Sequence, residues 1–438
     1  MAASDEERLR RALRLHLAGE ADAAERAYRA LLDDPALGAA ARHWLGFLLS
    51  QRDRLDEALP LLEQAVAAED GHAEWHFNLG LACARQGQAE AAAAALRRAT
   101  ELDPSRYFYW TNLGAQLLRL ARGSDAEPAL RQAARLDPDC PDAFYLLTQA
   151  LLQQGRHDEA RRCNAQGVLA EPPGKMPPIA QAQALCELGR MEEARAMAED
   201  WLRRQPDHPV ASHLLAAFGG AEAPKACAEM YVGSAFDAAS RSFDDDLARL
   251  RYSGPQWLAD CLLRQAPAPK SLSALDLGCG TGLAGERLLP YALRLDGVDL
   301  SAGMLMQAQA KGIYDRLAQA ELRAFLRSAK MSWQLIACLD TLPYLGDLDN
   351  VFDWLARRTE AGGLLLFCVE SLIDGGVDYA LHHSGRYRHA PSYLDRLLSE
   401  GWRVLERTAM PVRDEAGCPV AGEFICARRL GKANFDQF

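Results

Sequence analysis

The sequence predicts a multidomain protein in which an all-α repeat array is followed by an α/β domain with a parallel sheet. Prolines recur at steps of 34 residues through the first half of the chain, which indicates a repeated helical unit. From Ser273 onward, short apolar runs alternate with helical patterns, as is typical of a parallel sheet with helices on both faces. The first apolar run leads into a glycine-rich turn, where such sheets bind nucleotide-shaped ligands.

Two residue types define the repeat, because both keep the same period. Four prolines and five alanines are spaced by 34 residues: Pro104, Pro138, Pro172, Pro206, Ala58, Ala92, Ala126, Ala160 and Ala194. A small side chain lets paired helices approach each other, and proline ends the second helix of a pair. This period selects the tetratricopeptide repeat, which stacks into a solenoid. We predict six units that begin near residues 5, 39, 73, 107, 141 and 175, with a capping helix near 210–218.

Composition limits the classes of partner. The net charge of −11 and a pI near 5.5 make nucleic acid an unlikely partner, because its phosphates are bound mainly by clustered Lys and Arg. No apolar run approaches the roughly 20 residues that span a bilayer, and the first residues lack the apolar run of a signal peptide. The 11 cysteines contain no C-x-x-C pair, so we expect reduced thiols and no metal site. We therefore expect a cytoplasmic protein without a membrane partner.

The stretch from Gly219 to Pro224 breaks the helical period and predicts a join between domains. We accordingly predict a repeat array over residues 1–220, a linker and helical lid over 221–270, and the α/β domain over 271–430.

Two Phe-Asp pairs in the predicted lid are seven residues apart, at Phe236-Asp237 and Phe243-Asp244. This spacing places both pairs on one side of a helix. The segment is either an amphipathic helix that covers the sheet edge or a mobile lid over the ligand. In the second case, Tyr231 and Tyr252 are the candidates to face the pocket.

The glycine-rich turn runs from Leu275 to Gly282, and its glycines let a ligand approach the main chain closely. A second predicted strand, from Leu295 to Leu300, reaches Asp299 about twenty residues later. That carboxylate is placed to accept hydrogen bonds from ribose hydroxyls. Asp276 before the glycines, and the helix directly after Asp299, disfavour a dinucleotide-dependent oxidoreductase as the alternative.

The motifs Leu275-Asp-Leu-Gly-Cys-Gly-Thr-Gly282 and Gly297-Val-Asp-Leu-Ser-Ala-Gly-Met-Leu305 resemble those of class I S-adenosylmethionine-dependent methyltransferases. The whole chain resembles bacterial predicted methyltransferases that carry tetratricopeptide repeats. The resemblance implies a Rossmann-like, seven-stranded sheet closed by a terminal hairpin, with S-adenosylmethionine as cofactor. It implies these cofactor-binding residues: Asp276, Gly278, Cys279, Gly280, Thr281, Gly282, Asp299, Leu300, Ser301, Met304, Glu321 and Asp340.

The catalytic residues are not fixed by the sequence, because transfer from an activated methyl donor mainly requires alignment of the acceptor and exclusion of water. Asp340, His389 and Tyr252 are candidate general bases. Asp340 follows a predicted strand, where it either contacts a ligand or caps a helix. Arg386 or His389 is a candidate substrate contact.

The predicted function is therefore methyl transfer to an acceptor, with the repeats binding a protein through their concave face. The acceptor is either a protein that the repeats recruit or a small molecule. The alternative is a non-catalytic scaffold in which repeats accompany a methyltransferase-like domain that only binds the cofactor.

Overall fold

The computed structural model describes residues 5–265, 268–373, 376–415 and 417–431. The chain forms two compact units, Met1–Met176 and Pro177–Phe438. We call them the N-terminal unit and the C-terminal unit. The domain boundaries predicted from sequence, at 220 and 270, both fall inside the C-terminal unit and stay predictions.

The described part of the N-terminal unit consists of antiparallel helix pairs. Its helices are α1 (Asp5–Leu17), α2 (Ala21–Arg29), α3 (Gly38–Gln51), α4 (Leu55–Ala68), α5 (Ala73–Arg85), α6 (Ala89–Leu102), α7 (Tyr107–Arg119), α8 (Gly123–Leu136), α9 (Pro141–Gln153) and α10 (His157–Ala170). Each pair corresponds to one of the first five predicted repeat units, so the helical repeat architecture is confirmed.

Close packing within each pair explains the period. The first helix of three successive pairs carries a glycine at the same repeat position, Gly46, Gly80 and Gly114. A Cβ atom built on these glycines would lie 2.7, 2.6 and 2.4 Å from a side-chain carbon of the leucine on the second helix. The five alanines that share the 34-residue spacing are fully buried. Small residues are therefore required where the paired helices touch.

The C-terminal unit begins with three helices that match the sixth predicted repeat and its cap: α11 (Pro178–Glu187), α12 (Met191–Arg204) and α13 (Pro209–Ala217). Three more helices precede the sheet: α14 (Glu229–Ala239), α15 (Phe243–Arg249) and α16 (Gly254–Gln265). The two Phe-Asp pairs therefore lie on two helices, α14 and α15, that are joined by a turn, rather than on the single helix that the seven-residue spacing predicts. The Ser240 hydroxyl ends α14 by donating to the Asp237 carbonyl at 2.9 Å, and three consecutive acids open α15 at its N-terminus.

The strands of the sheet are β1 (Leu272–Leu277), β2 (Ala292–Asp299), β3 (Arg316–Gln319), β4 (Trp333–Cys338), β5 (Thr359–Ser371), β6 (Tyr379–Leu381), β7 (Tyr387–His389), β8 (Trp402–Glu415) and β9 (Cys418–Arg429). The sheet follows the order β3-β2-β1-β4-β5, and the antiparallel hairpin β8–β9 continues it beyond β5. A second hairpin, β6–β7, pairs with the end of β5. The predicted α/β fold is confirmed, and β6–β7 adds two strands to the seven that were expected.

Helices cover both faces of this sheet: α17 (Leu283–Leu288), α18 (Ala302–Lys311), α19 (Leu322–Ser328), α20 (Asp349–Arg358) and α21 (Pro391–Ser399). Alternate strand residues enter two separate cores. Leu275 and Ile336 belong to one core, and Ala274 and Leu335 belong to the other. Burial on both faces explains why the central strands are almost continuously apolar. No helix in the described part of the chain is both long and apolar enough to cross a membrane.

Gly114→Ala tests the packing within a repeat. We expect the new methyl group to lower the free energy of unfolding by about 1–2 kcal/mol, because the overpacking against Leu130 outweighs the better helix propensity of alanine. Urea unfolding followed by circular dichroism measures the change. The control is Gly71→Ala in an open turn, where a Cβ would meet no atom within 4 Å. Equal midpoints for the two variants would contradict the packing argument.

Candidate functional site

A cavity of about 270 Å³ lies at the carboxyl ends of β1, β2 and β4 in the C-terminal unit. Neighbouring parallel strands end at the same edge of a sheet, so the residues after them converge there. Eleven predicted site residues line the cavity: Tyr252, Gly278, Cys279, Gly280, Thr281, Asp299, Leu300, Met304, Glu321, Asp340 and Arg386. Four predicted residues are outside its lining: Asp276, Gly282, Ser301 and His389.

The turn after β1 needs its glycines. Gly278, Gly280 and Gly282 have φ angles of 77°, 53° and 96°, which side chains other than glycine rarely adopt. A Cβ on Gly278 would lie 2.1 Å from the Thr341 hydroxyl oxygen. A Cβ on Gly280 would meet no atom closer than a Phe243 ring carbon at 3.8 Å, so it would project into the cavity. The bare backbone at Gly280 is thus open to a ligand.

The Asp299 carboxylate joins this turn to the segment after β2. One oxygen accepts the Gly280 amide at 2.8 Å, and the other accepts the Ser301 amide at 2.8 Å. Burial raises the pKa of Asp299, while these amide bonds oppose the shift. Ser301 in turn caps α18 by accepting the Met304 amide at 3.0 Å, which holds Met304 against the cavity.

The two Phe-Asp pairs belong to different helices, but in both the aspartate carboxylate accepts hydrogen bonds from residues around the cavity. The Asp237 carboxylate accepts the Ser301 hydroxyl at 2.5 Å and the Gly303 amide at 2.9 Å. The two oxygens of the Asp244 carboxylate accept the Thr281 hydroxyl and the Lys311 ammonium.

Each preceding phenylalanine, Phe236 or Phe243, lines the cavity, and the two rings are 5.8 Å apart. The segment therefore covers the cavity and is held by the two loops that form its floor. Tyr252 lines the cavity as well, whereas the side chain of Tyr231 lies outside the described residues.

Asp276 lies beneath the glycine turn. Its carboxylate accepts the Tyr314 hydroxyl at 2.7 Å, and burial raises the pKa of Asp276 to about 7. The Tyr314 ring also lies where a Cβ on Gly282 or Gly285 would go, so it fills the space under the turn. In this structure Asp276 supports the turn through Tyr314. His389 is likewise buried away from the cavity, with its Nε2 atom donating to the Leu345 carbonyl at 2.9 Å.

We call one end of the cavity, formed by Asp340, Tyr344, Arg386 and Arg413, the arginine end. Arg413 is 1% exposed, and its guanidinium contacts three carboxylates: Asp340 at 2.9 Å, Glu370 at 2.5 Å and Glu415 at 2.7 Å. Burying this cation is possible because its charge is balanced on all sides.

The other groups of the arginine end are tied to this cluster. Arg386 pairs with Glu415, and its Nε atom donates to the Tyr344 hydroxyl at 3.2 Å. Burial raises the pKa of Asp340 to about 6, while the positive charge of Arg386 opposes the shift and the negative charge of Glu415 adds to it. Asp340 has a φ angle of 49° and precedes the 3-10 helix Leu342–Tyr344 without capping it.

Sequence reasoning missed Arg413, Glu415 and Tyr314. Arg413 reaches the cavity because β8 pairs with β9 and β9 with β5, a register that no local pattern reveals. The anchoring roles of Asp237 and Asp244 had a signal in the repeated Phe-Asp pairs.

Comparison with known proteins identifies both halves. Two tetratricopeptide-repeat family models match residues 48–107 and 117–176, and a methyltransferase-domain model matches residues 275–365. The human protein "Methyltransferase-like protein 27" is 46% identical over 89 residues, which are 20% of this chain and 36% of that protein. A malonyl-[acyl-carrier protein] O-methyltransferase of Pseudescherichia vulneris is 27% identical over 172 residues, 39% of this chain and 64% of the relative. The chain therefore spans less than two thirds of each of these relatives.

Solved structures of both kinds align with parts of the chain. The repeat protein MamA aligns with a TM-score of 0.36 and 22% identity, over 39% of this chain and 93% of MamA. Magnesium protoporphyrin IX methyltransferase from Synechocystis PCC 6803, with bound SAH, aligns with a TM-score of 0.36 and 15% identity, over 46% of this chain and 99% of that enzyme.

The helical repeats, the sheet order and the family matches define a class of protein in which a solenoid precedes an α/β transferase domain. More specifically, the chain is a tetratricopeptide-repeat protein with a class I methyltransferase domain.

Asp276→Asn tests the buried carboxyl group through pH. Because burial raises the pKa of Asp276 to about 7, the folded protein binds this proton more tightly than the unfolded chain does. The stability associated with the group is thus present at low pH and is lost as pH rises toward 7. The wild-type free energy of unfolding, minus that of the variant, should fall by about 2–3 kcal/mol between pH 5 and pH 8. Urea unfolding across this range measures it, and a constant difference would contradict the burial argument.

Proposed function

We propose that this protein is an S-adenosylmethionine-dependent methyltransferase whose acceptor binds at the arginine end of the cavity. The observation that carries the proposal is the open backbone at Gly280, where a Cβ would enter the cavity, joined to the Asp299 carboxylate at 2.8 Å. A ligand with a ribose needs both features, because one gives close access to the main chain and the other accepts hydrogen bonds from hydroxyl groups.

The residues of this chain fit such a cofactor. The glycine turn and Asp299 would hold it at one side, and Met304 and Glu321 line the same part of the cavity. When bound, the cofactor supplies a methyl group that its sulfonium centre already activates. The proposed cofactor-binding residues that line the cavity are Gly278, Cys279, Gly280, Thr281, Asp299, Leu300, Met304, Glu321 and Asp340. Asp276, Gly282 and Ser301 lie outside the lining and support these residues.

The protein's own contribution is to orient the acceptor and exclude water. Phe236 and Phe243 cover the cavity with apolar rings that keep solvent from the reacting atoms. The Asp340 carboxylate, with a pKa of about 6, is ionised at pH 7.5 and would serve as the general base only for a hydroxyl or amine acceptor. Tyr252 and Tyr344 place phenol groups beside it to orient that acceptor.

Isothermal titration tests the cofactor assignment on the full chain. We expect S-adenosylmethionine to bind and NAD not to bind. Asp299→Ala should weaken S-adenosylmethionine binding at least about tenfold, since it removes a charged hydrogen-bond acceptor. The control is Asp353→Ala, which removes the same charge from an exposed position on α20. If the wild-type chain binds no S-adenosylmethionine, the enzyme proposal fails, and the repeats become the functional part. NAD binding in its place would favour an oxidoreductase.

A carboxylate is the acceptor class that we favour. Arg413 is already held by three carboxylates, so Arg386 is the residue that would bind an acceptor carboxylate, through two parallel hydrogen bonds and in place of its ion pair with Glu415. A carboxylate acceptor loses no proton on methylation, so its reaction requires no general base. The named substrate of the O-methyltransferase relative, a malonyl group on acyl-carrier protein, also carries a free carboxylate.

Arg386→Gln tests this acceptor class with malonyl-coenzyme A as the probe and mass spectrometry of the methyl ester as the readout. We expect KM for the probe to rise about tenfold or more, because one charged hydrogen bond is lost, while cofactor affinity is unchanged. Arg403→Gln, at an exposed position on β8, is the control. No ester with the wild-type protein, or equal KM values for both variants, would argue against a carboxylate.

We further propose that the repeats bind a protein partner and act in the cytoplasm. A stack of helix pairs presents an extended curved surface, which is the usual platform for protein recognition. None of the 11 cysteines forms a disulfide in the described residues, in keeping with a reducing compartment.

A further inference from the structure

The turn between β6 and β7, residues 382–386, is held by two helices that lie 172 and 196 residues earlier in the chain at their points of contact. The turn closes on itself through the His382 amide, which donates to the Arg386 carbonyl at 2.8 Å. Helix α13 contacts it from outside, because the His213 Nε2 atom donates to the Gly385 carbonyl at 2.8 Å. Helix α11 adds a pair between Glu187 and His383 at 2.8 Å.

His213 is well suited to fix this turn. Its side chain is 4% exposed, and burial lowers the pKa of His213, so the imidazole is neutral and its Nε2 atom carries the donated hydrogen. The Cys227 thiol lies 3.6 Å from the same Gly385 carbonyl. The next residue after Gly385 is Arg386, whose guanidinium lines the cavity. The position of the Gly385 carbonyl therefore fixes where the Arg386 side chain begins.

The segment after α13 holds Tyr344, the hydrogen-bond partner of Arg386, through similar backbone contacts. The Cys227 amide donates to the Tyr344 carbonyl at 2.9 Å, and Ala226 forms an antiparallel bridge with Leu345. The Tyr344 hydroxyl accepts the Arg386 Nε atom, and the Arg386 guanidinium lies 5.8 Å from the centre of the Tyr344 ring. One stretch of chain thus contacts the backbone at both members of the Arg386–Tyr344 pair.

We infer that residues 213–227 position the Arg386–Tyr344 pair at the arginine end of the cavity, with His213 as the positioning residue for Arg386. That an acceptor binds at this end rests on the proposed function, but the positioning does not. Removing the His213 imidazole leaves the Gly385 carbonyl with only the weaker Cys227 thiol as a buried donor. The turn then shifts, and the Arg386 guanidinium loses its alignment with the Tyr344 hydroxyl.

The test compares three variants of the full chain: His213→Ala, His213→Gln and His208→Ala. Glutamine has an amide nitrogen at nearly the reach of Nε2, so it can donate to the same carbonyl. His208 is the matched control, because it caps the same helix by accepting the Ala211 amide at 3.4 Å.

Two measurements follow the turn and the pair directly. Hydrogen exchange with mass spectrometry reports the segment 379–389, and the arginine Nε–H resonance of Arg386, assigned with Arg386→Lys, reports its bond to Tyr344. We expect His213→Ala to speed exchange in this segment about tenfold and to shift the Arg386 resonance. His208→Ala and His213→Gln should resemble the wild type in both. Affinity for S-adenosylhomocysteine should stay within about twofold in all variants, since the glycine turn and Asp299 are untouched.

The inference is overturned if His213→Ala leaves the Arg386 resonance and the exchange unchanged, or if His208→Ala or His213→Gln changes them as much. It is also overturned if His213→Ala abolishes S-adenosylhomocysteine binding, because the effect then extends to the whole domain. If the wild-type chain binds no S-adenosylhomocysteine, the proposed function fails on its own, while exchange and resonance still decide whether His213 positions Arg386.

Discussion

The rest of the site depends on the two backbone hydrogen bonds that the Asp299 carboxylate accepts. It accepts the amides of Gly280 and Ser301, which belong to loops after two different strands. Ser301 is buried and Gly280 is half-buried, so leaving either amide unpaired would be costly. Helices α14 and α15, which cover the cavity, are tied to the same two loops. The Asp237 carboxylate accepts the Ser301 hydroxyl, and the Asp244 carboxylate accepts the Thr281 hydroxyl. Floor and cover of the cavity are therefore parts of one hydrogen-bonded assembly.

This frame has a cost in stability. Burial raises the pKa of Asp276, Asp299 and Asp340, so each charged carboxylate is less stable in the folded protein than in water. Groups of this kind that gather at one edge of a sheet are typical of functional sites, since packing alone would favour apolar residues there. Arg413 offsets part of the cost at Asp340, and its own burial requires the other two carboxylates around it.

Much of the fold follows from short-range patterns in the sequence. The 34-residue period predicts the helix pairs because it records a contact repeated in each pair, as Gly114 against Leu130 illustrates. The glycine turn and Asp299 are similarly local, each following its strand directly. The break between α14 and α15 was not predicted, since the spacing of Phe236 and Phe243 fits a continuous helix as well as two helices. The Arg413 cluster depends on which strands pair, and that is a property of the whole sheet.

The short hairpin β6–β7 has a consequence for how such a chain can change during evolution. Helices α11 and α13 touch its turn, so they are bound to the α/β domain by specific side chains such as Glu187 and His213. Helix pairs before Met176 form a separate compact unit. Repeats can therefore be gained, lost or exchanged in that unit without altering the hairpin, whereas the final pair and its cap must be inherited together with the sheet. The solenoid can therefore change in length through the repeats of the N-terminal unit, and not through the helices that contact the hairpin.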